Sequence, residues 1–375
     1  MGWAKFSPRA TFSLIYTPSY TGRVRYSSWN ALNHALSLSA TRNFAPRWSY
    51  NFSANADLST QEATLFAPTA FGNVASVPAS FNDLAAALLS AKFNNPELAA
   101  ALSSAPTGQS PVRNLLYGTR MLTAVGQASF SYSYSPRLSF TFGGGGSRIQ
   151  HVADTQAVSA QGGYLLPDTT SGNANLGFSY SLSPLTQLGG TVATSRISSA
   201  LYETQTTTSL ATLGRTFSRR WLLQLHGGVG ITNPLRQAAS SPISTKPRPA
   251  FGASLAFKTY SHTLLGSFDR TVSDSYGVGA STSSVSTASW RWQRPARVWW
   301  LESSFSWEQL QLSGQDTTGW RSSVGVGRSV GAHLAVFTQY AYLDYSGRFQ
   351  NFLNKLSQSA VRVSLVWTPR SATAR

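Results

Sequence analysis

Seven ionisable residues in the last third of the chain are the strongest candidates for chemistry. They share one phase of an alternating pattern in which large apolar residues take the other positions. Residues at alternate positions of a strand point to the same face of a sheet. Charges gathered on such a face would bias which ions or solutes pass along it. The seven candidates are Lys258, Asp269, Arg291, Glu302, Glu308, Arg321 and Arg362.

An alternative interpretation of these charges is purely structural. Arg291 and Glu302 flank a predicted turn at 294–297, so they could pair across adjacent strands and only support the wall. Confined charges are usually compensated in this way. Under either interpretation these are the positions to mutate first.

The positions of the histidines do not indicate a catalytic site or a metal site. The five of them lie on different predicted strands or turns, without the spacing of metal ligands. His226 lies in the polar phase beside Gln224 and is the most suggestive, but no Ser, His and acid set stands out around it. The glycine run 143–146 lacks the following helix that a phosphate-binding loop needs. We therefore expect no enzymatic activity, no bound metal and no cofactor.

The composition is unusual for a protein with a water-facing surface. The chain has 375 residues, of which 42% are hydrophobic and only 11% charged, against about 25% charged in typical soluble proteins. Its longest apolar run, Leu84 to Leu89, is far shorter than the roughly 18 residues of a membrane helix. There is no cysteine for disulfides or zinc–thiolate sites, and 12% aromatic residues with 30 glycines favour strands and turns over disorder.

The net charge of +17 first suggests nucleic acid as a partner. Nucleic-acid binding usually gathers Lys and Arg into a patch or stripe, whereas here they are dispersed along the chain. Many arginines fall beside short turns, which favours anchoring near an anionic interface. We therefore expect no nucleic-acid partner.

Strict alternation of apolar and polar residues predicts strands along nearly the whole chain. Clear examples are 48–58, 122–134, 176–182 and 361–367. Seven short turns rich in Pro, Ser and Gly alternate with eight longer connections, which predicts about sixteen strands in an all-β, up-and-down antiparallel barrel that spans a membrane. The predicted turns are 43–48, 134–138, 182–185, 217–221, 259–263, 293–297 and 328–332, and the connections are 18–29, 60–118, 152–172, 197–206, 231–249, 273–282, 313–319 and 346–355.

Aromatic residues concentrate near both ends of the predicted strands. Two such girdles are typical of a band of side chains that faces lipid, with the polar phase facing a solvated lumen. The residues assigned to the girdles are Trp48, Tyr134, Phe217, Trp221, Trp292, Trp299, Trp307, Trp320 and Trp367.

With these features the chain resembles the outer-membrane β-barrel proteins of Gram-negative bacteria, over residues 9–368. The resemblance implies a single barrel domain over 1–375 with short periplasmic turns and long extracellular loops. It also implies a location among outer-membrane lipid and lipopolysaccharide, and insertion by the outer-membrane assembly machinery. The family usually ends on its last aromatic residue, whereas Thr368 to Arg375 follow Trp367 here. Met1 to Ser7 lack the features of a secretory signal, so we expect a signal peptide or upstream region to be missing.

The connection 60–118 is too long to be only a link. Helix-start signals at Ser80 and Asn95 predict two short helices in it, which would either constrict the barrel from within or cover it from outside. We expect a porin-like channel for passive diffusion of small hydrophilic solutes, which could form a homo-oligomer. The alternatives are a plugged barrel that anchors or displays other parts of the protein, and a substrate-specific channel or exporter subunit.

Overall fold

A computed structural model describes most of the chain. The described residues are 2–7, 9–21, 31–60, 120–152, 168–199, 203–218, 220–236, 245–274, 280–293, 298–312, 315–330, 334–349 and 352–367. The predicted helices and the greater part of the connection 60–118 lie outside these residues, as do 368–375.

The described residues form seventeen strands and belong to one sheet. In chain order the strands are β1 (Gly2–Ser7), β2 (Ala10–Thr21), β3 (Ala31–Ala45), β4 (Trp48–Thr60), β5 (Arg120–Ser133), β6 (Leu138–His151), β7 (Thr169–Ser183), β8 (Thr186–Ser199), β9 (Glu203–Ser218), β10 (Trp221–Arg236), β11 (Arg248–Lys258), β12 (His262–Asp274), β13 (Ala280–Gln293), β14 (Trp299–Leu312), β15 (Gln315–Val330), β16 (Leu334–Phe349) and β17 (Phe352–Trp367).

Each strand pairs antiparallel with the next one along the chain, from β1 to β17. The predicted all-β, up-and-down antiparallel arrangement is therefore confirmed. The sixteen predicted strands correspond to β2–β17. The additional strand, β1, is six residues long and pairs with the first half of β2, from Ala10 to Ile15.

The strands run farther than predicted at the end of the sheet opposite the short turns. β8 ends at Ser199 and β9 begins at Glu203, so only residues 200–202 join them. Likewise β16 and β17 are joined by 350–351 alone, where a connection over 346–355 was predicted. These segments are rich in Ser, Thr, Asn and Gly, which weaken the alternation in the sequence, but cross-strand pairing keeps them extended.

The two faces of the sheet are inverted relative to a water-soluble protein. On one face, here called the apolar face, large side chains such as Phe130, Val324 and Val361 are exposed, the last to 70%. On the other, the polar face, hydroxyl and charged side chains are enclosed, and Thr204 is only 1% exposed. A soluble sheet buries its apolar side chains instead, so the apolar face requires a nonaqueous neighbour.

In the part of the chain that the structure describes, no helix has the length and apolar character needed to cross a membrane.

Candidate functional site

The predicted charges converge on one region of the polar face, which we call the charged wall. It comprises His226, Asp269, Arg291, Glu302, Glu308 and Arg321, contributed by strands β10 and β12–β15. Alternation places them on the polar face, because each shares its phase with an enclosed neighbour such as Leu222, Thr263, Ser289, Ser306 or Ser323. Lys258 shares this face, opposite Thr263. Arg362 is opposite Gln339 in the register of β16 and β17, but its side chain is outside the described set.

His226 and Asp269 meet across an intervening strand. Gly252 on β11 lies opposite His226 on β10 and opposite Asp269 on β12. Nε2 of His226 lies 3.3 Å from Oδ1 of Asp269. A Cβ atom at Gly252 would stand only 2.5 Å from Cε1 of His226. The absence of a side chain at Gly252 therefore lets the imidazole lie over the β11 backbone and reach the carboxylate.

Arg291 and Glu302 form the ion pair that their positions around the β13–β14 turn suggested. They lie directly opposite each other, and Nε of Arg291 is 3.4 Å from Oε1 of Glu302. This separation is longer than a charge-assisted hydrogen bond. The guanidinium also lies over the ring of Trp300, with Cζ 5.5 Å from the ring centroid. Arg291 is thus compensated by a carboxylate on one side and an aromatic face on the other, and only 6% of it is exposed.

Arg321 and Glu308 make a second pair of opposite charges, this one between β15 and β14. Arg321 on β15 lies opposite Ser306, and Glu308 lies opposite Gly319, so the two charges are diagonal neighbours. They interact electrostatically, and both are buried. From β12 to β15 the charges of the wall therefore alternate in sign from strand to strand, with carboxylates on β12 and β14 and arginines on β13 and β15.

An aromatic pair lies beside the charged wall. Trp300 on β14 and Phe337 on β16 stack with ring centroids 6.4 Å apart and an interplanar angle of 4°. Gly327 on β15 lies between them, opposite both residues. A Cβ atom at Gly327 would collide with the indole of Trp300, and one at Gly325 would collide with the ring of Phe337. The two glycines thus provide the space in which the rings lie flat against the sheet.

A short chain of polar side chains continues across the same region. The hydroxyls of Ser304 and Ser323 are 2.6 Å apart, and Nε2 of Gln339 donates to Oγ of Ser323 at 2.8 Å. Other hydroxyl pairs bridge adjacent strands elsewhere on this face, including Ser139 with Ser179. Most of these contacts hold wall residues to one another, so the polar face is an ordered hydrogen-bonded surface.

The residues assigned to aromatic girdles lie on or beside the apolar face. Trp48, Tyr134, Phe217, Trp221 and Trp299 are exposed close to the short turns. Trp307 and Trp320 lie opposite each other toward the other end of β14 and β15, where Trp320 packs on Tyr342 with centroids 5.1 Å apart. Trp292 shares the phase of this face near the end of β13, and Trp367 is opposite Leu334, with its side chain outside the described set.

Trp300 and Phe337 were not predicted to lie on the polar face. The consecutive residues Trp299 and Trp300 could have indicated the position of Trp300. Two consecutive residues of a strand point to opposite faces, so one of the two tryptophans had to lie on the polar face. The contact of His226 with Asp269 was not predicted either, because the two residues lie on strands that are not adjacent. Among the described residues, no group of three or more His, Asp or Glu side chains could hold a metal ion.

The chain is similar to known proteins in structure but not in sequence. No protein-family model matches the chain, and no curated protein matches it. Among solved structures it is similar to the FrpB iron transporter from Neisseria meningitidis (F3-3 variant), with a TM-score of 0.49 and 8% identity over 98% of this chain and 64% of that one. The chain thus spans less than two thirds of FrpB.

Two other similar structures match over nearly their whole length. Pseudomonas aeruginosa OccK3 (OpdO) gives a TM-score of 0.44 and 11% identity, covering 96% of both chains. A bacterial polysaccharide outer membrane secretin gives 0.41 and 7%, covering 98% of this chain and all of that one. The expected resemblance to Gram-negative outer-membrane β-barrel proteins is therefore confirmed as a likeness of fold. The exposed apolar face is the feature of this chain that is compatible with surrounding lipid.

Proposed function

We propose that the chain forms a closed barrel in the outer membrane and that small hydrophilic solutes diffuse passively through its interior. The inverted sheet is the observation that carries this proposal. A sheet with a lipid-compatible outer face and a face of Ser, Thr and paired charges is suited to enclosing water. Passive diffusion needs no cofactor and no catalytic step, and the proposal includes neither.

Closure requires β17 to pair with the opposite edge of the sheet, which β1 and β2 provide. Both β1 and β17 run toward the short turns, so a pairing between them would be parallel, whereas β17 would meet β2 antiparallel. Because β1 covers only Ala10–Ile15 of β2, the rest of β2 offers backbone groups for an antiparallel closure. Lipid leaves no alternative source of hydrogen bonds for these groups.

In this proposal the charged wall sets selectivity. Its charges alternate in sign, so the expected filter is local and weakly selective rather than a strong barrier to anions or cations. The aromatic residues near both ends of the strands would form the two girdles at the membrane boundaries. Eight residues separate Trp299 from Trp307, a distance of about 26 Å along a strand and about 20 Å across the membrane at the usual tilt.

A second candidate function, a plugged barrel that serves as an anchor, also has a specific observation in its favour. Arg291, Glu308 and Arg321 are each less than a tenth exposed. The wall of a wide, water-filled barrel of sixteen or so strands would be more open. A barrel with a narrowed interior would account for the low exposure of these three side chains. Such a barrel would be a gated or substrate-specific channel, or a support for other parts of the chain.

Single-channel conductance in planar bilayers separates these functions. The full chain is compared with a variant that lacks residues 62–116, after both are shown to refold by circular dichroism. Steady current through the full chain supports the diffusion channel. A closed full chain that conducts only after the deletion supports the plugged barrel, and a deletion variant that folds but does not conduct contradicts an open interior.

A further inference from the structure

A shallow groove interrupts the apolar face at β2–β7 and has a volume of about 600 Å³. One side is formed by leucines and the floor by small residues of β4–β6. Gly172 on β7, opposite Gly146, extends this floor without adding a side chain. In register, Leu38 is followed on successive strands by Ala54, Gly126, Gly146, Gly172 and Arg196. With strands about 4.8 Å apart, the four small residues in this row make a floor about 14 Å wide.

The tetraglycine segment of β6 explains why the floor is low. Its residues alternate between the two faces. On the polar face, Gly143 and Gly145 leave room for Asn175 and Asn173. On the apolar face, Gly144 and Gly146 add no side chain to the surface, and a Cβ at Gly126 beside them would meet no atom within 4 Å. Toward the short turns the same strands carry large residues instead, such as Phe130 and Phe142, so the groove occupies only the half of the span away from the turns.

An exposed arginine closes the end of the groove that points away from the short turns. Arg148 lines the groove and shares the apolar face with Phe142 and Gly146. Within the described residues it has no ion-pair partner, whereas Arg196 nearby is paired with Glu203. Asp168 lies two residues before Thr170, the residue opposite Arg148, and makes no ion pair with it. Among the described residues, therefore, no carboxylate compensates the charge of Arg148, which lies beside an apolar surface.

The depth of Arg148 matches the boundary of the membrane. Phe140, beside the short turn, is eight residues away on β6, about 26 Å along the strand and about 20 Å across the membrane at the usual tilt. The apolar band of such barrels is about 25 Å tall. Arg148 therefore reaches the level of lipid headgroups on the side opposite the turns, while the groove below it lies at the level of acyl chains.

From these observations we propose that the groove binds an anionic, phosphate-bearing lipid. The acyl chains lie on the Ala and Gly floor against Leu14 and Leu36, and the guanidinium of Arg148 donates to the headgroup phosphate. Charge complementarity favours a lipid over a second copy of the chain. A twofold contact through this patch would bring two uncompensated arginines together, at an energetic cost.

Native mass spectrometry of the detergent-solubilised full chain tests the site. The probes are phosphatidylglycerol and phosphatidylcholine with identical acyl chains, so that they differ only in the headgroup. The wild type is expected to retain phosphatidylglycerol in preference to phosphatidylcholine. Arg148→Gln should weaken phosphatidylglycerol binding at least about tenfold, the scale of one charged hydrogen bond.

A second variant tests the acyl part of the site. Gly126→Leu places a side chain in the groove, where its Cβ would meet no protein atom within 4 Å, and should also abolish the preference. Gly266→Leu is the matched control, because Gly266 lies on the apolar face of β12, away from the groove. A Cβ atom at Gly266 would lie 4.0 Å from its nearest neighbour, the carbonyl oxygen of Thr287. This control should bind lipid like the wild type.

Three outcomes would overturn the proposal. The first is equal retention of the two lipids by the wild type, and the second is phosphatidylglycerol binding that Arg148→Gln leaves unchanged. The third is a Gly126→Leu variant that binds lipid normally but changes from oligomer to monomer in light scattering, which would identify the groove as an interface between copies. Arg148→Gln alters one exposed side chain, so its result does not depend on whether Gly126→Leu folds.

Discussion

Nε2 of His226 lies 3.3 Å from Oδ1 of Asp269 although the two residues belong to β10 and β12, with the whole of β11 between them. The contact is possible because the β11 residue that lies opposite both of them is Gly252, which has no side chain to separate them. Trp300 and Phe337 repeat this arrangement over Gly327. At each of these two positions, here called crossing points, a glycine on the middle strand allows side chains of the two flanking strands to touch, although those strands are not hydrogen-bonded to each other.

Adding a methyl group at the first crossing point should destabilise the sheet. In Gly252→Ala the new Cβ would stand 2.6 Å from the carbonyl oxygen of Phe268 as well as against His226. We expect a loss of about 1–3 kcal/mol in the free energy of unfolding, the usual scale of overpacking, measured by urea titration in micelles. Gly227→Ala on β10 is the matched control, because its Cβ would meet nothing within 4 Å. If Gly252→Ala and Gly227→Ala were equally stable, a Cβ atom at Gly252 would not be crowded by its neighbours.

The stacked rings should be energetically coupled. A double-mutant cycle of Trp300→Ala and Phe337→Ala is expected to give a coupling energy of about 0.5–1.5 kcal/mol, as aromatic pairs do. Each single change leaves the other ring without its partner, so the two effects should not add. The same cycle between Trp300 and Phe305, which lies on the apolar face of β14, serves as the control and should be additive within error. Additivity in both cycles would mean that the stacking contributes nothing.

A charge placed on the apolar face should be costly in lipid. Phe130→Arg on β5 puts a guanidinium where a ring is 43% exposed, and the expected destabilisation is about 2–4 kcal/mol near the bilayer midplane and less toward its boundary. Gln127→Arg on the same strand points to the polar face, where the exposed Gln127 leaves room, and should be tolerated. Refolding into vesicles followed by urea titration measures both, and a tolerated Phe130→Arg would reverse the assignment of the faces.

Removing one charge of the Arg291–Glu302 pair should shift ion selectivity if the polar face lines a conducting lumen. Glu302→Gln leaves Arg291 as the local charge and should favour anions, whereas Arg291→Gln should favour cations. The reversal potential in a salt gradient reports both signs. Arg215→Gln is the control, since Arg215 is exposed beside Phe217 on the apolar face. Unchanged reversal potentials in all three variants would mean that the charged wall does not line the path of the ions.

The alternation of residue types was sufficient to predict much of the fold. A period of two identifies the strands, separates the faces and locates the turns, because each residue's face depends only on its place in its own strand. For this reason the antiparallel meander and the phase of residues such as Arg291 and Phe130 followed from the chain alone. The short β1 did not, because six residues carry too few alternations to be distinguished from an irregular end.

Relations between strands depend on register, which alternation does not specify. That Gly252 lies between His226 and Asp269, or that Gly126, Gly146 and Gly172 align into the floor of a groove beneath Arg148, was decided by the pairing of whole strands. In the sequence these glycines are indistinguishable from others in strands. Only the tertiary structure shows which of them leave space for a neighbouring side chain, because that space is created by residues far away along the chain.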